Sequence, residues 1–152
     1  MGDHDGGYNP TEASHQALRG ILRELDRHPI VTQVRGFPNG EFTRIVAQLD
    51  LKRWEIERGD ATLTVRWFAG ETPDARPEFS FHYSDESRDF GWHHEPNPHV
   101  DGWGHFQELN PAEDDYSYEP YAPPTDNPSR LVWEIMALLS SKLGTTQRYS
   151  NN

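Results

Sequence analysis

The side chains of this sequence best suited to chemistry are its histidines, five of which, His82, His93, His94, His99 and His105, crowd into one short segment. Imidazole titrates near neutrality, so two such rings can serve as general base and general acid. An arginine beside them can stabilise charge developing on a phosphoryl group or an oxyanion. The stretches Phe79-Ser-Phe-His-Tyr-Ser84 and Asp89-Phe-Gly-Trp-His-His94 alternate aromatic and polar residues, as half-buried strands do. In an antiparallel hairpin with Tyr83 opposite Phe90, Phe81 meets Trp92 on the buried side, and His82 and His93 project from the other. A strand over 103–109 with Phe106 turned to the core brings His105 beside them, and Arg66 approaches from its own strand. The expected catalytic set is therefore His82, His93, His105 and Arg66, on an exposed sheet face.

Three readings of this segment compete. A solvated strand tolerates histidine, so the rings can be purely structural, with pairs such as His105 and Asp101 bracing loops. As a metal site, His93, His94, His99, Asp101 and His105 offer nitrogen and oxygen ligands, yet no spacing such as His-Glu-x-x-His occurs and the chain has no cysteine. The expectation is no metal and no other cofactor, with His94, His99 and Asp101 as the ligands should one bind. As a catalytic site, the segment holds the parts for metal-independent RNA cleavage: a base for the 2′-hydroxyl, an acid for the departing 5′-oxygen and a cation for the phosphate. Trp92, Trp103 and Tyr83 are then the rings to stack unpaired bases, with core packing as the competing use. No glycine-rich phosphate loop, Gly-x-Ser-x-Gly elbow or dinucleotide fingerprint is present.

The order of motifs from Phe79 to Leu143 resembles the TumE-like family of small prokaryotic toxins. In that family an aromatic-His strand precedes a strand ending in a His-rich segment, then a Pro-His motif and a C-terminal helix. The matching stretches here are Phe81-His82-Tyr83, Trp92-His93-His94-Glu95-Pro96 and Pro98-His99, followed by His105. Phe90-Gly91-Trp92 stands where the family pattern carries an arginine and an aspartate. The resemblance implies a toxin–antitoxin component that binds a small antitoxin protein and acts on RNA.

Composition narrows the setting. Twenty-five acidic residues against fourteen basic ones give a formal charge of −11, and only two of the basic residues are lysine. Carboxylates hold water, and their repulsion is screened at molar salt, where the Debye length is about 3 Å. A halophilic cytoplasm is expected, an ordinary acidic protein being the alternative. Either disfavours nonspecific nucleic-acid binding through a basic surface. No apolar run is long enough to span a membrane, and the first residues do not read as a signal peptide.

The elements that must position the histidines follow from caps, turns and periodicity. A disordered arm is expected over 1–9. Asn9-Pro10-Thr11-Glu12 then opens a helix to about Arg27, with Leu18, Ile21, Leu22 and Leu25 on one face. Strands are expected at 30–35 and 42–51, joined by a tight turn at Asn39-Gly40, and flanking Glu57-Arg-Gly-Asp60 at 54–56 and 63–67. A bulge or bend is expected near Lys52. After the histidine strands, 110–124 reads as an acidic, tyrosine-bearing loop. A last helix begins at Asn127-Pro128 and ends at Gly144, leaving 145–152 as a disordered tail. The chain thus reads as one α+β domain over 10–144, with a mainly antiparallel sheet of five to seven strands flanked by N- and C-terminal helices. The functional expectation is a TumE-like toxin component with ribonuclease activity. The alternative is a non-enzymatic interaction module that binds a partner protein through loop 110–124.

Overall fold

The structure, a computed structural model, describes residues 7–57 and 59–150, the last six of them by backbone alone. Helix α1, Pro10–Arg27, starts where the Asn9 side chain accepts a hydrogen bond from the Glu12 amide at 3.1 Å. Its apolar stripe, Leu18, Ile21 and Leu25, is fully buried. Seven strands follow: β1 Val31–Phe37, β2 Arg44–Leu49, β3 Ala61–Phe68, β4 Glu78–Ser84, β5 Asp89–His94, β6 Gly104–Asn110 and β7 Asp115–Pro120. They pair antiparallel in sequence order, β1 to β7, so every connection is local. Helix α2, Pro128–Ser150, closes the chain. The fold is α+β, with a seven-stranded antiparallel sheet flanked by an N-terminal and a C-terminal helix.

The alternation within the strands decides which sheet face is covered. In β3, Ala61, Leu63, Val65 and Trp67 are buried; in β4 and β5, Phe79, Phe81, Tyr83, Phe90 and Trp92 continue the same layer. Leu131, Val132, Ile135, Met136, Leu139 and Leu143 of α2 join α1 and this face in one core. Glu108 of β6 ties α2 to the sheet through Lys142 and Arg88, both at 2.8 Å. The intervening residues, from Arg44 and Arg66 to His93, form the second face. Among the described residues no helix is long and apolar enough to cross a membrane.

Five expectations change. Trp54 and Ile56 do not form a strand: Leu51–Trp54 is a 3-10 turn capped by the Asp50 side chain, and Glu55 adopts a left-handed φ of 60°. This turn is the bend that resets the alternation near Lys52, and residue 58 lies outside the described residues. Gly40 does take a positive φ of 90°, but the β1–β2 connection spans 38–43, longer than a two-residue turn. Loop 110–124 contains β7, because Tyr116 and Tyr118 alternate with Ser117 and Glu119 and pair with Leu109 and Gln107 of β6. Helix α2 runs past Gly144 to Ser150, since an interior glycine costs only about 1 kcal/mol relative to alanine. Of the expected tail, only 151–152 fall outside the described residues. Of the expected arm, 1–6 fall outside them, whereas the Tyr8 hydroxyl donates to the Gly70 carbonyl at 2.8 Å.

Candidate active site

Strand register creates the site. Tyr83 stands opposite Phe90 and Phe81 opposite Trp92, which commits both pairs to the core and sends His82 and His93 to the second face. Trp92 pairs with Phe106, so His93 falls directly across from His105. One row of cross-strand neighbours therefore reads Arg44, Arg66, Ser80, His93, His105. All four expected catalytic residues, His82, His93, His105 and Arg66, share this face.

The rings of His82 and His93 are in contact, with His82 Nδ1 3.3 Å from His93 Nε2. Gly91, directly across from His82, makes room for this contact. A Cβ at position 91 would lie 2.6 Å from the Phe81 carbonyl oxygen and 2.7 Å from His82 Nδ1. On its other side, His82 Nε2 is hydrogen-bonded to Asp89 Oδ1. The Tyr116 hydroxyl also donates to this oxygen, at 2.9 Å. Burial, with Asp89 alongside, pushes the Tyr116 phenol up to about 12, so it remains a donor.

The network fixes the tautomer of a neutral His82 and admits two for His93. A carboxylate only accepts, so His82 Nε2 carries the hydrogen and His82 Nδ1 is a bare acceptor. In one arrangement His93 Nε2 donates to it, which leaves the lone pair on His93 Nδ1. That atom lies 3.4 Å from Glu95 Oε1, which also only accepts, so in the other arrangement Nδ1 carries the hydrogen and donates to Glu95. Burial, followed by the neighbouring His82 and His105, lowers the His93 pKa from 6.5 to about 4. His93 is thus a neutral ring at physiological pH, with its Nδ1 on the Glu95 side.

Glu95 in turn lines a cleft of about 390 Å³, where the ends of β3 and β4 meet the first turns of α1; His93 itself does not line it. Arg66, Phe68, Ser80 and Glu95 line it on the histidine side, and Trp67 and Phe79 contribute apolar wall. Arg66 is exposed and forms no ion pair among the described residues.

Several assigned roles do not survive this geometry. His105 is only 1 % exposed, because the 95–103 loop covers it: Asn97 Nδ2 lies 3.3 Å from its Nε2, and Gln107 Oε1 3.2 Å. Its Nδ1 has no partner among the described residues. It stacks on His93 at 5.1 Å and 9°, out of reach of a substrate, so the face is not uniformly exposed as expected. Tyr83 and Trp92 are 0 % and 5 % exposed and present no ring to a base. Trp103 stays accessible but lies beside His94 and under Arg76, away from the cleft.

The metal candidates are also separated. His94 turns to the opposite side, where it stacks on Phe79 and meets the Pro77 carbonyl at 2.8 Å; His99 instead stacks on Tyr118. Asp101 lines a shallow hollow beside His94 and Trp103. Among the described residues no group of three or more histidine, aspartate or glutamate side chains is arranged to hold a metal ion.

Asp89, Glu95 and Gly91 complete the site, and the sequence reading missed all three. Strand parity could have found Asp89 and Glu95, which share a face with His93, four positions before it and two after it. No family model, curated protein or solved structure matches this chain.

Proposed function

We propose that this protein cleaves RNA without a metal, with His93 Nδ1 as general base, in the manner expected of a TumE-like toxin component held in check by an antitoxin protein. The observation that carries this reading is the chain Asp89–His82–His93, whose last ring is neutral and stands between Ser80 and Glu95, two residues that line a cleft together with Arg66; the reading takes His93 in the tautomer whose Nε2 donates to His82. His93 Nδ1 takes the proton from a ribose 2′-hydroxyl as that oxygen attacks phosphorus. The Nε2 hydrogen of His93 then passes to His82 Nδ1, so the positive charge rests beside Asp89 rather than against His105. Arg66 neutralises the phosphoryl oxygens in the transition state. The bond from phosphorus to the 5′-oxygen breaks, and the relay returns the proton to that oxygen. The products are a 2′,3′-cyclic phosphate and a 5′-hydroxyl.

In this arrangement His93 is the catalytic residue and His82 and Asp89 are positioning residues, a division of labour familiar from hydroxyl-activating triads. The two-imidazole scheme of separate acid and base gives way to one base backed by a relay.

The test is cleavage of an end-labelled RNA in excess chelator. Purified protein should release a cyclic phosphate, and His93→Gln should slow this by roughly 10²- to 10⁴-fold while retaining its circular dichroism. Undiminished cleavage by the folded variant refutes the proposal.

A further inference from the structure

The second face of the sheet changes character toward the β1 edge. Its alternating positions place Arg35 opposite Val46, and Arg44 opposite both Phe37 and Arg66. These three arginines are exposed, and none forms an ion pair among the described residues. The sequence carries 25 acidic residues, yet β1, β2 and β3 contain none at all. Carboxylates on this face begin only beyond Arg66, with Glu78 opposite Phe68 and with Glu95 at the cleft.

Like charges placed directly across a strand pair destabilise it, and Arg44 against Arg66 is such a pair. A bridging anion reverses the sign of that interaction, and phosphate suits the planar guanidinium fork. The stripe also carries aromatic surface. Phe68, 38 % exposed, is one of the few large apolar side chains left open, and Phe37 lies beneath the Arg44 guanidinium at 5.2 Å. Cations that track a backbone, interleaved with rings that stack on bases of any identity, make a platform for single strands. Arg66 belongs to both the stripe and the cleft, so the row Arg44, Arg66, Ser80, His93 runs without interruption from the platform to the base.

We infer that Arg35, Arg44 and Arg66, with Phe37 and Phe68, form a track for the phosphate backbone of single-stranded RNA leading to His93. This inference rests on the proposed cleavage of RNA and names the surface that holds the substrate. A basic patch confined to one face reconciles RNA binding with a net charge of −11, because the acidic remainder repels nucleic acid everywhere else.

The probe is a fluorescein-labelled 2′-O-methyl oligoribonucleotide of about 12 nucleotides, a length suited to one such platform, which cannot be cleaved because its 2′-oxygen is blocked. Anisotropy titrations run between about 0.1 and about 1 M KCl, a range over which screening changes strongly. Three neutralised phosphates predict a slope of log affinity against log salt near −2, falling to about −0.7 in the Arg35→Gln/Arg44→Gln double variant. Both substituted side chains are exposed, and circular dichroism should be unchanged. Phe68→Ala should weaken binding several-fold without altering the slope.

Binding absent from the wild type, or equal in affinity and slope in the folded double variant, overturns the track. Cleavage of a dinucleotide too short to reach Arg35 and Arg44 separates this inference from the function it rests on. If the dinucleotide is cleaved equally by both proteins while the oligonucleotide ignores the arginines, the track is wrong and the base stands. Arginine-dependent binding without any cleavage supports the track and removes the catalytic assignment.

Discussion

Gly91 stands directly across the β4–β5 pair from His82, and the side chain it lacks is the space through which His82 Nδ1 reaches His93 Nε2. Gly91→Ala should therefore shift the His82 ring or the Phe81 backbone. The expected cost is about 1–3 kcal/mol of stability from overpacking. A chelator-insensitive RNA cleavage assay should register a further loss, beyond what the fraction of unfolded protein accounts for. Full activity in this variant means that the contact between the two rings is dispensable.

Asp89 is hydrogen-bonded to His93 only by way of His82, although its charge also acts on His93 directly and favours the protonated ring. An asparagine at position 89 can turn its amide nitrogen toward His82 Nε2, which reverses every tautomer in the chain and places a hydrogen on His93 Nδ1. Asp89→Asn should slow cleavage by roughly 10²- to 10⁴-fold with little change in binding of an uncleavable RNA. Tyr116→Phe removes only a second donor to the same oxygen, so its effect on the rate should be smaller. An Asp89→Asn protein with the wild-type rate would show that the carboxylate orients nothing.

The acid side of the stability profile carries the signature of His93. Burial holds its pKa at about 4 in the folded protein against 6.5 in the unfolded chain, so between these values the unfolded state binds more protons. Stability is then fully present above pH 6.5 and is lost as pH falls toward 4, by up to about 3 kcal/mol. Glu108 acts in the same direction at lower pH. Although burial opposes it, hydrogen bonds from Lys142 and Arg88 leave its carboxyl below the usual range. His93→Gln should flatten the upper part of this slope, measured by urea unfolding between pH 4 and 6.5. An unchanged slope contradicts the burial assigned to this ring.

Net charge makes a separate prediction. With a formal charge of −11, folding gathers repelling carboxylates, and salt screens them. Urea-unfolding stability should rise from dilute buffer toward molar KCl. A flat or falling series would show that this acidity is not a source of strain.

The register of the histidine strands was legible because aromatic residues alternate with polar ones on both, and only one pairing buries Phe81, Tyr83, Phe90 and Trp92 together. Helix α1 was legible to the residue at both ends, from Asn9-Pro10 and from Pro29. The burial of His105 was not, since it depends on Asn97 and the loop that folds back over β6. The same rings assigned to stack bases, Trp92 and Tyr83, were needed by the core, and strand parity already placed them there. β7 was hidden because its short alternation, Tyr116 and Tyr118 with Ser117 and Glu119, lies within a polar, acidic run, as suits an exposed edge strand. Gly91 carries no local signal of function; its role exists only across the strand pair.

The position of one hydrogen decides the account. Nitrogen-15 NMR of histidine-labelled protein at neutral pH distinguishes a bare imidazole nitrogen from a protonated one through its long-range couplings to the ring protons. His93 should be neutral, with its hydrogen on Nε2 and the lone pair on Nδ1, and Asp89→Asn should reverse that assignment. A His93 protonated on Nδ1, or charged at neutral pH, would leave the cleft without a base and contradict the central claim.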